Sequence, residues 1–437
     1  MTDTQDKRVQ VDISKCPLHE VDTFGPEFLQ DPHPFYARLR AEAPVYRDPK
    51  NNVVYVSTYD LIRQVNTQPK LFSNRFAEQL RSGSTEQQDP DEVEIIKQGW
   101  IVADTMLTAD PPQHTRYRKL AMKAFTYRRV LQMTAYVEEL VESLIDELPE
   151  SGRIEFKSEF ANKLPMYVIA DALGVPREHF DQFEEWSNAF LVQLGGVAAK
   201  EERLWAAGKI VEFQKYFVEV IERKRANPTE DVISDLVHAD LSEEGDDRKM
   251  TYEELLSILQ QLLVAGNETT AHTLTAGLYF LLTHPEQLDA LSADPTLVKN
   301  FVEETLRFLS PTNNMWRVAT ADTEIGGEPI RKNDLILVRY GSGNRDEAKF
   351  ADADRFDMLR TNAKEHLAFG GGIHTCLGSQ LARKELQTAF PILLRRLKNI
   401  RLDPPDQALR FLPSILLRGV FALDVAFEKA PAPAERE

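Results

Sequence analysis

Apolar residues recur every three or four positions through most of the middle of this chain. Such spacing puts an apolar stripe along each helix, and it predicts consecutive helices between residues 112 and 300. The predicted helices span residues 113–125, 130–147, 160–173, 177–191, 201–226, 232–239 and 252–282, and a shorter one opens at 31–34 and runs to 43. The pattern therefore predicts a mainly α-helical protein.

Stretches with β character are short and lie outside that helical region. They predict strands at residues 52–57, 321–325, 335–338 and 420–427, which would form small accessory sheets. Polar or irregular stretches predict a lead-in over 1–25, a mobile loop over 80–99 and a disordered tail over 429–437. Residues 26–428 are then expected to form a single domain.

Composition and charge narrow the class of protein. The chain has 437 residues, of which 42% are hydrophobic, enough for a large buried core. With 69 acidic and 52 basic residues the formal net charge is −17, so nucleic acid is not an expected partner. Two cysteines make no disulfide framework, and no run of about 18 apolar residues occurs. We expect a cytoplasmic monomer with no membrane anchor.

One cysteine lies in a glycine-rich segment, Phe369-Gly370-Gly371-Gly372-Ile373-His374-Thr375-Cys376-Leu377-Gly378. The glycines can adopt positive φ and let the backbone approach a flat ligand closely. Cys376 precedes a predicted helix at 379–394, where free N–H groups and the helix dipole favour a thiolate. A thiolate held in this way suits the iron of a haem. An inert cysteine beside a glycine turn is the alternative.

The segment resembles the cysteine loop of the cytochrome P450 family, F-G-x-G-x-H-x-C-x-G, at all six fixed positions. The resemblance implies the cytochrome P450 fold, mainly α with small accessory sheets, and a haem b cofactor (iron protoporphyrin IX). It also implies that Cys376 ligates the iron and that Phe369 packs beside the sulfur. The N–H groups of Leu377 and Gly378 would donate to the thiolate.

The helix predicted at 252–282 carries an internal conflict. It is apolar nearly all round and so is expected to be buried, yet its middle reads Ala265-Gly266-Asn267-Glu268-Thr269-Thr270. Glycine costs about 1 kcal/mol relative to alanine inside a helix, and threonine hydroxyls can bond the carbonyl four residues earlier and bend it. A kink without further function is the alternative to a functional site.

This hexapeptide resembles the A/G-G-x-D/E-T motif on the helix that crosses the distal haem face in the family. The resemblance implies that Ala265 and Gly266 leave room for dioxygen. Two catalytic roles follow from it: Thr269 would donate a hydrogen bond to the oxygen, and Glu268 would relay protons from solvent. His272, one turn further on, is expected to be packed or solvated rather than catalytic.

Charged residues carry a further resemblance. Glu304 and Arg307 match the family's E-x-x-R motif, and their spacing places them on one face of a helix. Arg355 matches the arginine of the segment F-x-D-P-x-R-F, in which Ala353 here replaces the proline. The resemblance implies that Glu304, Arg307 and Arg355 form a buried structural ion network.

Basic residues cluster in two places despite the acidic net charge. Four residues match the family positions that bind the haem propionates: His114, Arg118, Arg317 and His374. Other basic residues crowd the segment that contains Arg118 or follow the cysteine loop: Arg116, Lys119, Lys123, Arg128, Arg129, Arg383 and Lys384. This second group is either a solvated helix face or a docking surface for an acidic electron-transfer protein.

The resemblance implies a monooxygenase that uses O2 on a hydrophobic small molecule, with electrons from a separate ferredoxin and its NAD(P)H-dependent reductase. The helix motif resembles that of bacterial members that oxidise steroids, terpenoids or fatty acyl chains. The pocket residues expected from the family are mostly apolar: Trp100, Ile101, Phe190, Leu194, Leu262, Asn313, Asn314 and Ile415. The two asparagines would orient one polar group of the substrate.

Three other functions stay open at this point. A peroxide-using haem-thiolate enzyme is one, although such enzymes usually lack the acid–alcohol pair that Glu268 and Thr269 supply. A non-catalytic haem or lipid binder would bind carbon monoxide but form no product. A haem-free helical interaction protein would be colourless when purified.

Overall fold

Helices form most of the computed structural model, which describes residues 15–77, 89–101, 103–124, 127–195, 198–240, 242 and 248–431. In chain order they are α1 (Pro26–Gln30), α2 (His33–Glu42), α3 (Tyr59–Asn66), α4 (Pro90–Ile96), α5 (Gln113–Ala124), α6 (Tyr127–Glu147), α7 (Lys163–Ala172), α8 (Phe180–Gly195), α9 (Lys200–Ala226), α10 (Val232–Val237), α11 (Tyr252–Thr283), α12 (Pro285–Ala293), α13 (Val298–Leu309), α14 (Tyr340–Gly343) and α15 (Ser379–Arg396). A π-helical turn, Lys157–Ala161, precedes α7. Within the described ranges, no helix has the length and apolar character needed to cross a membrane.

Two small sheets and a hairpin accompany these helices. The strands are β1 (Val45–Asp48), β2 (Val53–Val56), β3 (Phe72–Ser73), β4 (Ser151–Glu155), β5 (Met315–Ala319), β6 (Thr323–Ile325), β7 (Glu328–Ile330), β8 (Leu335–Val338), β9 (Leu397–Leu402) and β10 (Asp424–Lys429). The larger sheet has the order β1-β2-β8-β5-β3 and the smaller one β4-β10-β9, while β6 and β7 form the hairpin. In the larger sheet β2 runs antiparallel to β1 and parallel to β8.

The predicted strands agree with these elements except near the C-terminus. The strand predicted at 335–338 is β8 itself, and β2 lies within the one predicted at 52–57. The last predicted strand is displaced, because Val420 pairs with Phe411 in an isolated bridge and β10 begins later, at Asp424. β10 also runs on to Lys429, which the prediction assigned to the disordered tail.

The segment predicted as a mobile loop contains a helix. Residues 78–88 lie outside the described part of the chain, but α4 follows directly, with Asp89 as its N-cap. Lys200 on α9 reaches the carboxylates of Asp89 and Asp91 at 3.0 and 2.7 Å. These contacts are distant along the sequence and hold α4 against α9, so local composition did not predict the helix.

The long helix α11 organises the core. It begins with a capping box in which the Thr251 hydroxyl accepts from the Glu254 N–H and the Glu254 carboxylate accepts from the Thr251 N–H. Its first half packs in an apolar cluster with α8 and α9, called here the α8–α9 cluster. Its second half packs in another cluster with α13 and α15. Both ends of α11 are therefore buried, as the sequence predicts.

Between those two clusters, the middle of α11 faces a gap in the packing, called here the opening in α11. Ala265 is exposed, and Gly266 and Thr269 are half-buried. The helix is continuous here, while the hydroxyls of Thr269 and Thr273 donate to the carbonyls four residues earlier at 3.2 and 2.7 Å. The helix motif thus forms an opening in the core without interrupting the helix.

Candidate active site

The cysteine loop, residues 369–378, is closed by a hydrogen bond of 2.9 Å from the Cys376 N–H to the Phe369 carbonyl. Gly372 in this loop has a φ of 67°, which residues with a side chain rarely adopt. A Cβ at Gly372 would also lie 2.0 Å from the carbonyl oxygen of Asn66, at the end of α3. The path of the loop therefore requires glycine at this position for two independent reasons.

Several groups act on the charge of the Cys376 sulfur. Burial raises the pKa of the Cys376 thiol. Four groups act to lower this pKa, namely the N–H groups of Gly378 and Ser379 and the guanidiniums of Arg118 and Arg383, but the effect of burial is larger. Cys376 is nonetheless exposed to solvent. A thiolate here therefore needs a further positive charge, and a coordinated metal ion supplies one.

Two backbone N–H groups reach the sulfur. Gly378 is one of the two residues we named, but the other donor is Ser379, the first residue of α15, where helical N–H groups lack carbonyl partners. Leu377, which we expected to donate, is half-buried and packs against the α8–α9 cluster. Ser379 therefore takes the place of Leu377 as the second donor, because it is the first residue of α15.

Phe369 is held by a charged cluster that the sequence analysis missed. The Cζ atom of Arg383 lies 4.5 Å from its ring centroid, and the ring of His366 lies 5.5 Å away. Arg383 donates to both carboxylate oxygens of Glu303 at 2.6 and 2.9 Å. His366 Nε2 also lies 3.1 Å from Glu303. The one sequence signal for this cluster was an acidic residue directly before the E-x-x-R motif.

The protonation of this cluster follows from its contacts. Burial acts to raise the pKa of Glu303, but the hydrogen bonds from His366 and Arg383 lower it to about 2. Burial lowers the pKa of His366, whose Nδ1 accepts a hydrogen bond from the Ala368 N–H and therefore carries no hydrogen. The ring is neutral, so Arg383 is the positive charge that holds Glu303 ionised.

The four residues predicted to bind propionates lie close together. The ring centroids of His114 and His374 are 4.2 Å apart. Burial lowers the pKa of His374 to about 3, and His114, Arg317 and Arg118 act in the same direction. Burial likewise lowers the pKa values of His114 and Arg118. Arg317 is oriented by Asn66, whose Oδ1 accepts from its Nη2 at 3.0 Å.

The two guanidiniums and the two imidazoles of this group fit an anionic ligand. The Nε2 atoms of His114 and His374 are buried, and no hydrogen-bond partner for them occurs among the described residues. Buried polar atoms are normally paired, and carboxylates would pair these two while neutralising the guanidiniums. Arg118 also acts on the Cys376 sulfur, which places the anion site beside the thiol. The residues present therefore fit haem, a planar iron porphyrin with two carboxylates.

The residues of the predicted oxygen site lie at the opening in α11. A Cβ at Gly266 would meet Ile169 at 3.6 Å, an ordinary contact. Packing against the described residues therefore does not require glycine at this position. Thr269 Oγ1 donates to the Ala265 carbonyl at 3.2 Å, so the hydroxyl has to leave that bond before it can donate into the opening.

Glu268 is buried rather than directed into that opening. Its Oε2 lies 3.2 Å from Nε2 of His272, one helical turn further along. Burial acts to raise the pKa of Glu268, but the hydrogen bond and charge of His272, and then the charge of Lys157, hold it below its ordinary value. His272 is packed, as expected, but its pairing with Glu268 was not predicted.

The buried ion network differs from the prediction in one member. Glu304 and Arg307 pair at 2.7 Å with both side chains wholly buried. The third member is Arg360, whose Nε lies 3.1 Å from Glu304 Oε1. Arg355, which we predicted, is 65% exposed and pairs with Asp357. The turn after Arg355 directs the Asp357 N–H to Glu304 at 2.9 Å, and this brings Arg360 inward instead.

The predicted pocket residues fall into different environments. Four of them have accessible apolar surface: Trp100, Ile101, Leu262 and Ile415. Phe190 is buried in the α8–α9 cluster with a T-shaped contact to Phe213 at 5.0 Å, and its place in a pocket stays a prediction. Leu194 lies on α8, and its side chain is outside the described part of the chain.

Asn313 and Asn314 also depart from their predicted role. Both are buried; Asn313 Nδ2 donates to the Tyr36 hydroxyl at 3.0 Å, and that hydroxyl donates to Asn314 Oδ1 at 3.3 Å. Asn314 Nδ2 donates to the Ile415 carbonyl at 2.5 Å. The amides thus join α2 to the loop that carries Ile415, and tertiary hydrogen bonding takes the place of the predicted substrate contact.

Trp100 is held by a residue that the sequence analysis did not identify. Gln214 on α9 accepts from the Trp100 N–H at 2.9 Å and donates to the Trp100 carbonyl at 3.1 Å. The indole ring also contacts the ring of Tyr252, with the centroids 6.2 Å apart. The one signal in the sequence was a polar residue among apolar positions of α9.

The basic residues of α5 are partly engaged within the protein. Arg116 Nη1 lies 3.0 Å from the Glu254 carboxylate. Lys123 donates to a backbone carbonyl at 2.7 Å. The side chains of Arg128 and Arg129 lie outside the described residues. A docking surface built from this segment is therefore smaller than the sequence suggested.

Comparisons with known proteins show which family the chain resembles. The family model described as cytochrome P450 matches residues 197–417. The chain is 35% identical over 426 residues to the cytochrome P450 monooxygenase PikC of Streptomyces venezuelae, covering 96% of this chain and 97% of that protein. It is 35% identical over 396 residues to the steroid C26-monooxygenase of Mycobacterium tuberculosis, covering 91% of this chain and 94% of that protein.

A solved structure has the same fold. The cytochrome P450 CYP109Q5 from Chondromyces apiculatus matches with a TM-score of 0.82 and 35% identity, over 95% of this chain and 100% of that one. The chain is mainly α, and the predicted P450 fold is confirmed. The chain belongs to the cytochrome P450 family. It is a P450 monooxygenase, with the haem iron, O2 and hydrophobic substrates that the family uses.

Proposed function

We propose that this protein hydroxylates a hydrophobic small molecule of steroid, terpenoid or fatty-acyl type. The overall reaction is R–H + O2 + two electrons + two protons, giving R–OH + H2O. The observation that carries the proposal is the group of two guanidiniums and two buried, unpartnered imidazole nitrogens beside the Cys376 thiol. We assign haem b to this site, with Cys376 as the iron ligand and four residues on its carboxylates: His114, Arg118, Arg317 and His374. When bound, haem with a thiolate ligand activates O2 by pushing electron density towards it.

Two side chains on α11 handle protons in this proposal. Thr269 Oγ1 exchanges its bond to the Ala265 carbonyl for one to the oxygen being reduced. Glu268 accepts protons that come from solvent and passes them towards Thr269. Because the reaction consumes two protons, this path belongs to catalysis rather than to substrate binding.

The apolar residues near the opening support a hydrophobic substrate. Trp100, Leu262 and Ile415 are half-buried and offer apolar surface without a charged group. With Asn313 and Asn314 engaged in the core, we propose that shape and apolar contact select the substrate rather than a pair of amide groups. The relative named steroid C26-monooxygenase makes steroids the first compounds to test.

We propose a ferredoxin and an NAD(P)H-dependent reductase as the electron source for a monomeric, cytoplasmic enzyme. Ferredoxins are acidic, and α5 is a basic segment in an otherwise acidic chain. Arg118, on this helix, acts electrostatically on the Cys376 sulfur. A docking partner on α5 would therefore sit within short reach of the iron ligand.

Two measurements test this function. Titrating a library of hydrophobic compounds should give the low-spin to high-spin shift of the Soret band with steroids, terpenoids or fatty acyl compounds. Hydroxylated product should then form with ferredoxin, reductase and NADPH together. A library in which only small phenols shift the spectrum would overturn the substrate class.

The electron source has its own control. Omitting ferredoxin and reductase should abolish turnover with NADPH, whereas turnover of the purified protein with NADPH alone would contradict the proposed donors. Replacing both proteins and O2 with hydrogen peroxide should give slow, short-lived turnover. A sustained peroxide reaction at the full rate would favour the peroxide-using enzyme instead.

A further inference from the structure

His272 contacts Glu268 inside the core, one turn beyond the opening in α11. His272 Nε2 and Glu268 Oε2 are 3.2 Å apart, with side chains 2% and 11% exposed. We propose that His272 is a positioning residue for proton delivery: it holds the Glu268 carboxylate in place and keeps it ionised between proton transfers. The inference rests on the proposed function, in which Glu268 and Thr269 handle protons, and adds His272 to that path.

The spacing and the burial of the pair act together. A carboxylate four residues before a base is the favoured orientation on a helix, although at an exposed site it is worth only about 0.2–0.5 kcal/mol. Inside the core an unpaired carboxylate takes up a proton instead of staying charged. Burial alone would raise the pKa of Glu268, and His272 is the main group that reverses the direction.

Other charged groups packed against α11 do not replace His272. Lys157, on the π-helical turn, also lowers the pKa of Glu268, but it acts less strongly than His272. Glu385 on α15 is buried with a pKa raised far above its usual range, so it is neutral and contributes no charge. The acidic groups of α13 are bound to their own arginines.

The loop that carries Ile415 packs directly against the imidazole ring. A Cβ at Gly419 would lie 2.7 Å from His272 Nε2 and 3.1 Å from its Cε1. Because Gly419 has no side chain, the His272 ring fits between this loop and Glu268. The neighbouring Arg418 donates to a backbone carbonyl of α1 at 3.3 Å and does not compete for the carboxylate. The ring is thus fixed from two sides.

The hydrogen-bonding capacity of His272 suits this role. Its Nε2 faces the carboxylate and therefore carries a hydrogen, whereas its Nδ1 is buried with no partner among the described residues. A proton that reaches Glu268 forms the carboxylic acid, and its transfer towards Thr269 restores the carboxylate. No electron moves in either step.

The direct test measures the protonation of Glu268 in the haem-loaded enzyme. His272→Phe keeps a ring but removes the donor, and His272→Gln keeps a neutral donor. Infrared spectra of protein with 13C-labelled glutamate, with Glu268→Gln as the reference, should show a protonated Glu268 at pH 7 in His272→Phe and none in the wild type. His272→Gln should restore part of the ionised form. An ionised Glu268 in His272→Phe would overturn the inference.

Kinetics give a second readout that a merely structural role would not move. In His272→Phe the amount of hydroxylated product per O2 consumed should fall several-fold, and the solvent isotope effect on turnover should rise. The acid limb of the pH–activity profile should shift to higher pH. Adding His272→Phe to Glu268→Gln should cause no further loss, because the carboxylate is already absent. Additive losses in the double variant would contradict a role that acts through Glu268.

Two variants separate this role from a general packing defect. Gly419→Ala should displace the His272 ring and reproduce the His272→Phe infrared signal, although neither His272 nor Glu268 is substituted. His284→Gln changes a histidine at the far end of the same helix, bonded to the Phe280 carbonyl, and should leave Glu268 ionised. A protonated Glu268 in His284→Gln would contradict the assignment to His272. Failure of the wild type to form product would count against the proposed function alone, because the infrared result does not depend on turnover.

Discussion

Arg307 donates hydrogen bonds from Nε and Nη2 to the two carboxylate oxygens of Glu304, at 2.7 and 2.8 Å, inside the core. Its Nη1 donates to the carbonyls of Asn344 and Ala353. One guanidinium therefore joins α13 to two segments that precede the cysteine loop. The pair adds little net stability, because both charges lose their hydration, but a partner removed from it leaves a buried charge unpaired.

Arg360 is expected to matter for this network and Arg355 is not. Arg360→Ala removes a charged hydrogen bond to Glu304 and should lower the free energy of unfolding by about 1.5–3 kcal/mol. Arg355→Ala removes an exposed ion pair and should change it by less than about 0.5 kcal/mol. Urea unfolding followed by circular dichroism compares the two directly. A larger loss in Arg355→Ala would restore the original prediction.

Gly372→Ala should disrupt the cysteine loop. The added Cβ would lie 2.0 Å from a backbone oxygen that cannot move aside, in a residue whose φ is already 67°. We expect a loss of at least about 2 kcal/mol in unfolding free energy and a reduced haem content per chain. Gly208→Ala is the control, because nothing lies within 4 Å of its Cβ position. It should stabilise α9 by up to about 1 kcal/mol, and equal losses in both variants would contradict the steric argument.

Contiguous patterns account for the features that the sequence predicted well. The helix at 252–282 agrees with α11 within one residue because a buried helix shows its apolar character along its whole length. The cysteine loop is likewise a continuous segment, in which Gly372 is required by the local backbone. The pattern that predicted each feature lies within the segment itself, although the Asn66 carbonyl, distant along the chain, adds a second reason for glycine at 372.

The features that were predicted wrongly depend on contacts between distant segments. Arg355 and Arg360 lie on the same short stretch, and only the turn between them decides which one faces Glu304. Asn313 and Asn314 look like pocket residues by position, but a hydroxyl on α2 binds both amides in the core. Spacing along the chain does not contain this information.

One functional contact lay within reach of sequence reasoning. Glu268 and His272 have the i, i+4 spacing that brings side chains together on a helix. Their spacing alone did not show that both are buried, and burial is what turns a weak surface pair into control of protonation. The environment, rather than the spacing, was the missing information.

Cys376→Ser should abolish the haem-thiolate spectrum. A serine hydroxyl is far less acidic than a thiol and does not provide a sulfur ligand to iron. The ferrous–carbon monoxide Soret band should shift away from its thiolate position or disappear, and hydroxylation should be lost. Cys16→Ser changes the other cysteine and should leave the band in place. An unchanged band in Cys376→Ser would remove the basis of the proposed function.

His374→Ala should weaken haem retention. The variant removes one buried donor to a carboxylate, a charge-assisted contact worth about 1.5–3 kcal/mol, which corresponds to roughly 10–100-fold faster loss. Transfer of haem to an excess of an acceptor apoprotein measures the rate. His284→Ala removes a histidine that is not one of the four predicted carboxylate ligands and serves as the control. Equal rates in wild type and His374→Ala would show that His374 does not hold the cofactor.

The Glu303 cluster should make stability depend on pH in the acidic range. The pKa of Glu303 is about 2 in the folded protein, against about 4.3 for glutamate in an unfolded chain. A depressed pKa contributes stability that is complete above about pH 4.3 and is lost as pH falls through about 2. The full contribution is of the order of 3 kcal/mol.

Glu303→Gln isolates this contribution. The variant should be less stable than the wild type at pH 7, and the difference between them should shrink as pH falls below about 4.3, because the wild type then loses the same charge. Chemical unfolding at a series of pH values measures it. Glu139→Gln removes an exposed carboxylate on α6 and should follow the wild-type profile. A stability difference between wild type and Glu303→Gln that stays constant between pH 7 and pH 3 would show that Glu303 acts by packing and not through its charge interaction with Arg383.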